Sequence, residues 1–331
     1  MRNPATLKKI SDHLSVSIST VSRALKDHQD VSPETKRRVK ELAEMLDYEP
    51  NSFAINLRKK HSDLFAVIVP EISSYFYHSF IEAVEEEARS KGFSIMILQS
   101  RNNHELESNN LRLCRYNHVA GVFIAVNNST ENHAAFKKME DWEIPMVFFD
   151  KVPAEGNFNK VCMADEQAGA LAAEKIIEKG HQHIIAVMGS QNMSITIRRE
   201  LGIRNYLATH APHVTLECLY AEHREQVEAV LQNYSNPDLK GKLLFSMSDE
   251  ILCGILPFLN QRNLKMPGDV SLLTISNGFL PRLFSPSISY VETNGNQLGK
   301  MAFTRMSEIM EGEKNISENL LDCRFFAGGS M

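Results

Sequence analysis

Residues 16–25 of the chain read Val-Ser-Ile-Ser-Thr-Val-Ser-Arg-Ala-Leu. Ser17 can cap a helix that begins at the next residue, and that helix directs three apolar side chains inward, Val21, Ala24 and Leu25. The segment before this stretch carries apolar residues at a helical spacing, Leu7, Ile10 and Leu14. The sequence therefore predicts two short helices joined by a tight turn at Val16.

A third helix is predicted directly afterwards. Ser32-Pro33-Glu34 combines an N-cap serine, a proline at the first helical position and an acid in the first turn. The apolar residues of this helix recur every three or four positions, at Val39, Leu42, Ala43 and Leu46. Three short helices with this spacing predict an all-α helix-turn-helix domain over residues 1–49.

The outward face of the second helix carries short polar side chains and one guanidinium, groups that suit the major groove of duplex DNA. The alternative interpretation is a three-helix bundle whose polar face is only solvated. The candidate DNA-contacting residues of this domain are Thr6, Ser17, Ile18, Ser19, Thr20, Ser22 and Arg23.

Four consecutive motifs in this region form a specific pattern. They are Thr6-Leu7-Lys8-Lys9-Ile10-Ser11, the segment Val16 to Arg23, the segment Val31 to Val39, and Leu46-Asp47-Tyr48-Glu49-Pro50-Asn51. The pattern resembles the lactose-repressor/galactose-repressor (LacI/GalR) family of bacterial transcription regulators. The resemblance implies a homodimer that binds double-stranded operator DNA and senses a small-molecule effector, which is a sugar, a sugar acid or a sugar phosphate.

Residues 50–61 are predicted to link this domain to the rest of the chain through a short hinge helix. Such a helix is unstable alone in water. The resemblance implies that it pairs with its twin in a dimer and inserts Leu57 into the minor groove. The chain has Ile55 and Asn56 where the family commonly has Arg and Ser, and a flexible linker is the alternative. The candidate DNA-contacting residues here are Asn51, Ala54, Leu57 and Arg58.

Residues 62–331 are predicted to form an effector-binding and dimerisation domain. Short apolar strands alternate with amphipathic helices in two series, which predicts two doubly wound parallel sheets. Late in the chain a helix is predicted around residues 298–302 and a single strand over residues 320–325. These segments resemble family segments that return to the first lobe. We therefore predict an α/β body of the periplasmic-binding-protein-like type I fold, with lobe 1 at about 62–163 and 292–323 and lobe 2 at about 164–291 and 324–331.

Ligands of open α/β sheets bind at the carboxyl ends of the strands, so two facing lobes predict a cleft. The resemblance implies the following effector-binding residues: Phe76, Tyr77, Asp150, Arg199, His223, Asp249, Ser276 and Asn277. Structural alternatives are helix capping by Asp150 or Asp249, and pairing of Arg199 with Glu200 or Glu222. Ser276 stands where the family commonly has an aspartate that binds sugar hydroxyls. A sugar acid or sugar phosphate balanced by Arg199 therefore competes with a neutral hexose as the expected effector.

The charge distribution favours a DNA-binding head on a ligand-binding body. Residues 1–60 contain twelve Lys and Arg against eight Asp and Glu, whereas the whole chain has a net charge of −5. No signal peptide, membrane span, enzyme motif, metal motif or cofactor motif is evident, and the five cysteines are scattered. We expect a cytoplasmic regulator that is not an enzyme and needs no cofactor. The alternative is a cytoplasmic ligand sensor that acts through protein contacts, and removing residues 1–61 would separate the two hypotheses.

Overall fold

The computed structural model of the protein describes residues 6–48, 62–127, 132–234 and 239–331. The chain divides into two compact units, Met1–Ser62 and Asp63–Met331. The described part of the first unit contains the helices α1 (Leu7–Leu14), α2 (Ile18–Leu25) and α3 (Pro33–Met45). The predicted hinge at residues 50–61, with Asn51, Ala54, Leu57 and Arg58, lies outside the described residues.

The three helices described in the first unit each begin with a hydroxyl cap. Ser17 accepts a hydrogen bond from the backbone N of Thr20 at 3.0 Å, and Ser32 accepts one from Thr35 at 3.2 Å, which confirms both predicted caps. Thr6 caps α1 in the same way. The helices enclose a small apolar core made of Ile10, Val21, Ala24, Val31, Val39 and Ala43. The predicted inward faces of the three helices are therefore confirmed.

Lobe 1 of the second unit is built on a six-stranded parallel sheet. The strands are β1 (Leu64–Val69), β2 (Ser94–Gln99), β3 (Gly121–Ile124), β4 (Met146–Phe149), β5 (Lys160–Met163) and β11 (Glu318–Leu321), in the order β11-β5-β4-β3-β1-β2. The helices are α4 (Tyr75–Ser90), α5 (His104–Tyr116), α6 (His133–Asp141) and α11 (Gly295–Met310), and α11 packs against α4. The central strands are apolar throughout because helices cover both faces of the sheet.

Lobe 2 repeats this architecture. Its strands are β6 (His183–Met188), β7 (Thr215–Tyr220), β8 (Leu243–Ser246), β9 (Ser271–Ser276), β10 (Ser289–Glu292) and β12 (Arg324–Phe326), in the order β12-β10-β9-β8-β6-β7. Its helices are α7 (Asp165–Glu178), α8 (Ser194–His210), α9 (Arg224–Gln232), α10 (Asp249–Gln261) and a short 3-10 helix, Leu280–Leu283. An α/β body with two lobes, each built on a mainly parallel sheet, agrees with the predicted fold class.

Two details of the C-terminal region differ from the sequence prediction. Residues 320–325 do not form one strand, because the chain leaves lobe 1 after β11 and enters lobe 2 at β12. The second of these strands pairs antiparallel with β10, with Tyr290 opposite Phe326, so the sheet of lobe 2 is not wholly parallel. The chain thus passes between the sheets three times, after β5, after β10 and after β11.

Helices α7 and α8 approach each other at two glycines. A methyl group on Gly169 would overlap the carbonyl oxygen of Arg199, and one on Gly202 would overlap the carbonyl oxygen of Glu166. The missing side chains therefore let the two backbones touch. This contact matters for the cleft, because each helix supplies one member of a buried ion pair there.

Candidate functional site

A cavity of about 370 Å³ lies between the carboxyl ends of the two sheets. Lobe 1 lines it with residues that follow β1 and β4, and lobe 2 lines it with residues that follow β6, β7 and β8. This is the position expected of a ligand site in facing α/β lobes. Of the predicted effector-binding residues, the cavity is lined by Phe76, Tyr77, Asp150, Arg199, His223 and Asp249.

Asp150 is held in the cavity wall by a buried tyrosine. The hydroxyl of Tyr77 donates to Oδ2 of Asp150 at 2.6 Å, and only 5% of Tyr77 is exposed. Burial and the adjacent carboxylate raise the pKa of Tyr77 well above its usual value, so the phenol stays protonated and remains a donor. Asp150 itself has φ of +56°, a left-handed conformation that Asp and Asn adopt more readily than most residues.

Arg199 is paired with a residue that the sequence analysis did not consider. Its Nε donates to Oδ1 of Asp165 at 2.8 Å, and its Nη1 donates to the carbonyl oxygen of Met247 at 2.6 Å. Arg199 and Asp165 are 4% and 3% exposed. The proposed pairing with Glu200 or Glu222 is therefore wrong.

The charges of this pair are balanced inside the protein. Burial disfavours the charged guanidinium of Arg199, but Asp165 and Asp150 outweigh it and raise the pKa of Arg199. Burial raises the pKa of Asp165, while Arg199 opposes that effect. A ligand that reaches Arg199 therefore meets a guanidinium whose charge already has a carboxylate partner.

Ser276 and Asn277 support the cleft from behind. The hydroxyl of Ser276 and the backbone N of Asn277 donate to the two carboxylate oxygens of Asp249, the latter at 3.1 Å. Neither residue lines the cavity. The structure thus places both behind Asp249 rather than on the cavity wall. Ser248, not Asp249, caps α10 by accepting from the N of Ile251 at 3.3 Å, so the capping alternative for Asp249 is wrong.

Several charged residues of the cavity were not predicted. Lys151 follows Asp150 directly, and burial lowers the pKa of its ammonium while Asp150 and Glu250 oppose that effect. Glu71 and Glu250 line the same cavity, and Nδ1 of His223 lies 4.0 Å from Oε1 of Glu250. The position of Lys151 next to a predicted residue was the one local signal that could have identified it.

An aromatic stack joins the two lobes beside the cavity. The ring of Tyr75, the first residue of α4, lies 4.1 Å from the ring of Phe279, with an angle of 28° between their planes. Phe279 belongs to the loop after β9, and its backbone N donates to Oδ1 of Asn277 at 3.1 Å. The loop that supports Asp249 therefore also positions the stack.

The predicted DNA-contacting residues of the first unit lie mainly on the exposed side of α2. Ile18 is 47% exposed and lies on the open face of this helix. The Ser17 hydroxyl lies 2.7 Å from that of Ser19 and 2.8 Å from that of Thr20, so three polar groups form one cluster. Ser22 is half-buried, and Thr6 stands at the start of α1.

Arg23 is not free on this face. Its Nη1 donates to Oδ2 of Asp30 at 2.6 Å, and its Nε lies 3.4 Å from the carbonyl oxygen of Ser19. Asp30 was not among the predicted DNA-contacting residues.

Metal sites and membrane-spanning helices would indicate other functions. Within residues 6–48, 62–127, 132–234 and 239–331, no three His, Cys, Asp or Glu side chains are grouped to hold a metal ion. No helix in the same residues is long and apolar enough to cross a membrane.

Comparison with known proteins identifies the family. The profile for "Bacterial regulatory proteins, lacI family" matches residues 6–51, and the profile for "Periplasmic binding proteins and sugar binding domain of LacI family" matches residues 62–328. The chain belongs to the LacI family. This LacI-family chain is 26% identical over 315 residues to catabolite control protein A of Priestia megaterium, covering 93% of each chain. It is 25% identical to the transcriptional repressor PurR of Vibrio campbellii, covering 95% of each.

A solved structure shows the same fold at the level of the whole chain. The lac repressor dimer bound to operator matches with a TM-score of 0.85 and 19% identity, covering 99% of both chains. The curated relatives are transcription regulators, and the present chain is a regulator of this family. The resemblance inferred from the N-terminal motifs is confirmed.

Proposed function

We propose that the protein is a homodimeric, cytoplasmic transcriptional repressor whose affinity for operator DNA is set by a small metabolite bound between the two lobes. The observation that carries this proposal is the joining of a helix-turn-helix unit to a two-lobed unit with a polar cavity. The cavity offers positioned carboxylates and aromatic rings, groups that suit the binding of a polar ligand. Ligand would favour one arrangement of the lobes and thereby change DNA affinity.

The charges that line the cavity favour a neutral polyhydroxylated effector. Six acidic side chains line it against three Lys and Arg side chains, and Arg199 is already paired with the buried Asp165. A phosphate or carboxylate on the ligand would face this excess of negative charge at short range. The hydroxyl groups of a neutral sugar, in contrast, can donate to Asp150 and Asp249. The face of the sugar ring can stack on Phe76. The charges of the cavity therefore favour a neutral sugar over a sugar acid or a sugar phosphate.

Thermal unfolding in the presence of candidate effectors tests this ligand class. In thermal unfolding of the full chain with matched hexoses, hexonic acids and hexose phosphates, a neutral sugar is expected to stabilise the protein. The stabilisation should reach about 2.7 kcal/mol at a concentration about 100 times Kd. The same sugar should change the affinity for DNA. Stabilisation by the phosphate or acid alone would contradict the ligand class, and stabilisation without any change in DNA affinity would contradict the regulatory proposal.

Asp150 is expected to accept hydrogen bonds from the ligand. Asp150→Asn keeps the acceptor for Tyr77 and tolerates the left-handed backbone, but it removes the charge that strengthens hydrogen bonds from ligand hydroxyls. Titration calorimetry with the sugar that binds the wild type should show about 10- to 100-fold weaker binding. Asp47→Asn is the matched control, because Asp47 has φ of +51° and lies in the N-terminal unit. Equal affinities for wild type and Asp150→Asn would exclude a ligand contact at Asp150.

A further inference from the structure

Arg23 and Asp30 form an ion pair on the side of the first unit that carries the candidate DNA-contacting residues. Arg23 belongs to α2, and Asp30 precedes the buried Val31. Their side chains are 47% and 48% exposed, so the pair is in contact with water. An exposed pair of this kind contributes little to folding stability. Its main consequence is therefore the position that it gives to the guanidinium.

The backbone folds back after α2, so that Asp30 lies beside Arg23. After α2 the chain reverses at Asp27, whose φ of +58° is left-handed, and the backbone N of His28 donates to the carbonyl oxygen of Arg23 at 3.0 Å. Nδ1 of His28 lies 3.2 Å from Oδ1 of Asp30. Each carboxylate oxygen thus has its own side-chain neighbour, Arg23 on one and His28 on the other, which limits rotation of the carboxylate.

The guanidinium of Arg23 makes two hydrogen bonds and has further N–H groups that can donate. Nη1 is bound to Asp30 at 2.6 Å and Nε faces the carbonyl oxygen of Ser19 at 3.4 Å. The second hydrogen of Nη1 and both hydrogens of Nη2 remain for another acceptor. A fork of two parallel donors fits the O6 and N7 acceptors of guanine in the major groove.

We propose that Asp30 is a positioning residue for DNA recognition: it holds Arg23 so that its remaining fork reads a base edge and does not fold back onto a phosphate. The proposal rests on the proposed DNA-binding function. A carboxylate at this surface also repels the phosphate backbone, so it lowers affinity for DNA of any sequence while it sharpens the choice of base. Asp30 thus weakens the binding of DNA in general but increases the discrimination between bases.

The test is a selection from a pool of random-sequence duplex DNA with the full chain, followed by affinity measurements on the selected and random duplexes. Arg23→Ala is expected to lose base preference at one position of each half-site. Asp30→Ala should lose preference at the same position, bind random DNA more tightly, and lower the ratio of specific to non-specific affinity by about 10-fold. Asp30→Asn, which keeps an acceptor for Nη1, should lie between wild type and Asp30→Ala.

Glu41→Gln is the matched control, because Glu41 pairs with Arg37 on α3 and its replacement removes the same charge from the same unit. It should raise binding to random DNA without changing base preference. The proposal is overturned if Asp30→Ala keeps the base preference that Arg23→Ala loses, or if Glu41→Gln and Asp30→Ala behave alike. A wild-type protein that selects no sequence would overturn the proposed function itself, a result distinct from either of these.

Discussion

Arg199→Ala is expected to lower the free energy of unfolding by about 3–5 kcal/mol, because it leaves the carboxylate of Asp165 buried without its partner. The variant should also lose its response to effector, since Asp165 and the carbonyl oxygen of Met247 no longer have a common donor at the cavity wall. Denaturant unfolding at neutral pH measures the first effect. An unfolding free energy within about 1 kcal/mol of wild type would show that Asp165 finds another partner.

The pH dependence of this variant has a definite sign. Burial raises the pKa of Asp165 above its usual value near 3.8, and the removal of Arg199 takes away the effect that opposes this rise. An acid whose pKa is higher in the folded state binds its proton more tightly there, so the loss of stability is greatest at high pH and diminishes as pH falls through the folded pKa. The free energy of unfolding that Arg199→Ala loses relative to wild type should therefore be smaller at about pH 5 than at about pH 8. The double variant Arg199→Ala/Asp165→Asn should recover the most stability at high pH, where Asp165 is charged, and progressively less as pH falls.

Gly202→Ala is expected to cost about 3 kcal/mol of stability even though alanine is the better helix former. The new methyl group would overlap the backbone carbonyl of Glu166, so α7 as a whole must move away from α8. Asp165 is the first residue of α7, and its displacement lengthens the bond to Arg199. Thermal unfolding and effector titration should therefore both show a defect.

Gly268→Ala is the matched control for this substitution. No heavy atom lies within 4 Å of the position that its new methyl group would take, so the same chemical change meets open space. It should leave stability within about 0.5 kcal/mol of wild type. A Gly202→Ala variant as stable as the Gly268→Ala variant would mean that the two helices can separate without cost.

Features set by neighbouring residues could be predicted from the sequence. The caps at Ser17 and Ser32 depend on amides three residues away, and the buried strands depend on short apolar runs. The break within residues 320–325 could not be predicted, because Asp322 and Cys323 carry no glycine or proline signal and the chain changes sheet there.

The details of the cavity depend on partners that are distant along the chain. Asp165 precedes Arg199 by 34 residues, so no local pattern could select it over the neighbouring Glu200. The stack of Tyr75 on Phe279 arises only when both lobes are folded. The position of the cleft could thus be predicted from the sequence. The hydrogen bonds and the charge balance of the cleft could be determined only from the three-dimensional structure.

The position of β11 has a consequence for synthesis on the ribosome. This strand forms the edge of the lobe 1 sheet beside β5, yet about 155 residues separate the two strands in the sequence. While lobe 2 is being translated, β5 has no neighbour on that side and its backbone groups are an open template for wrong pairing. We expect nascent chains stalled before residue 318 to aggregate or recruit chaperones, although most of lobe 1 has by then left the ribosome.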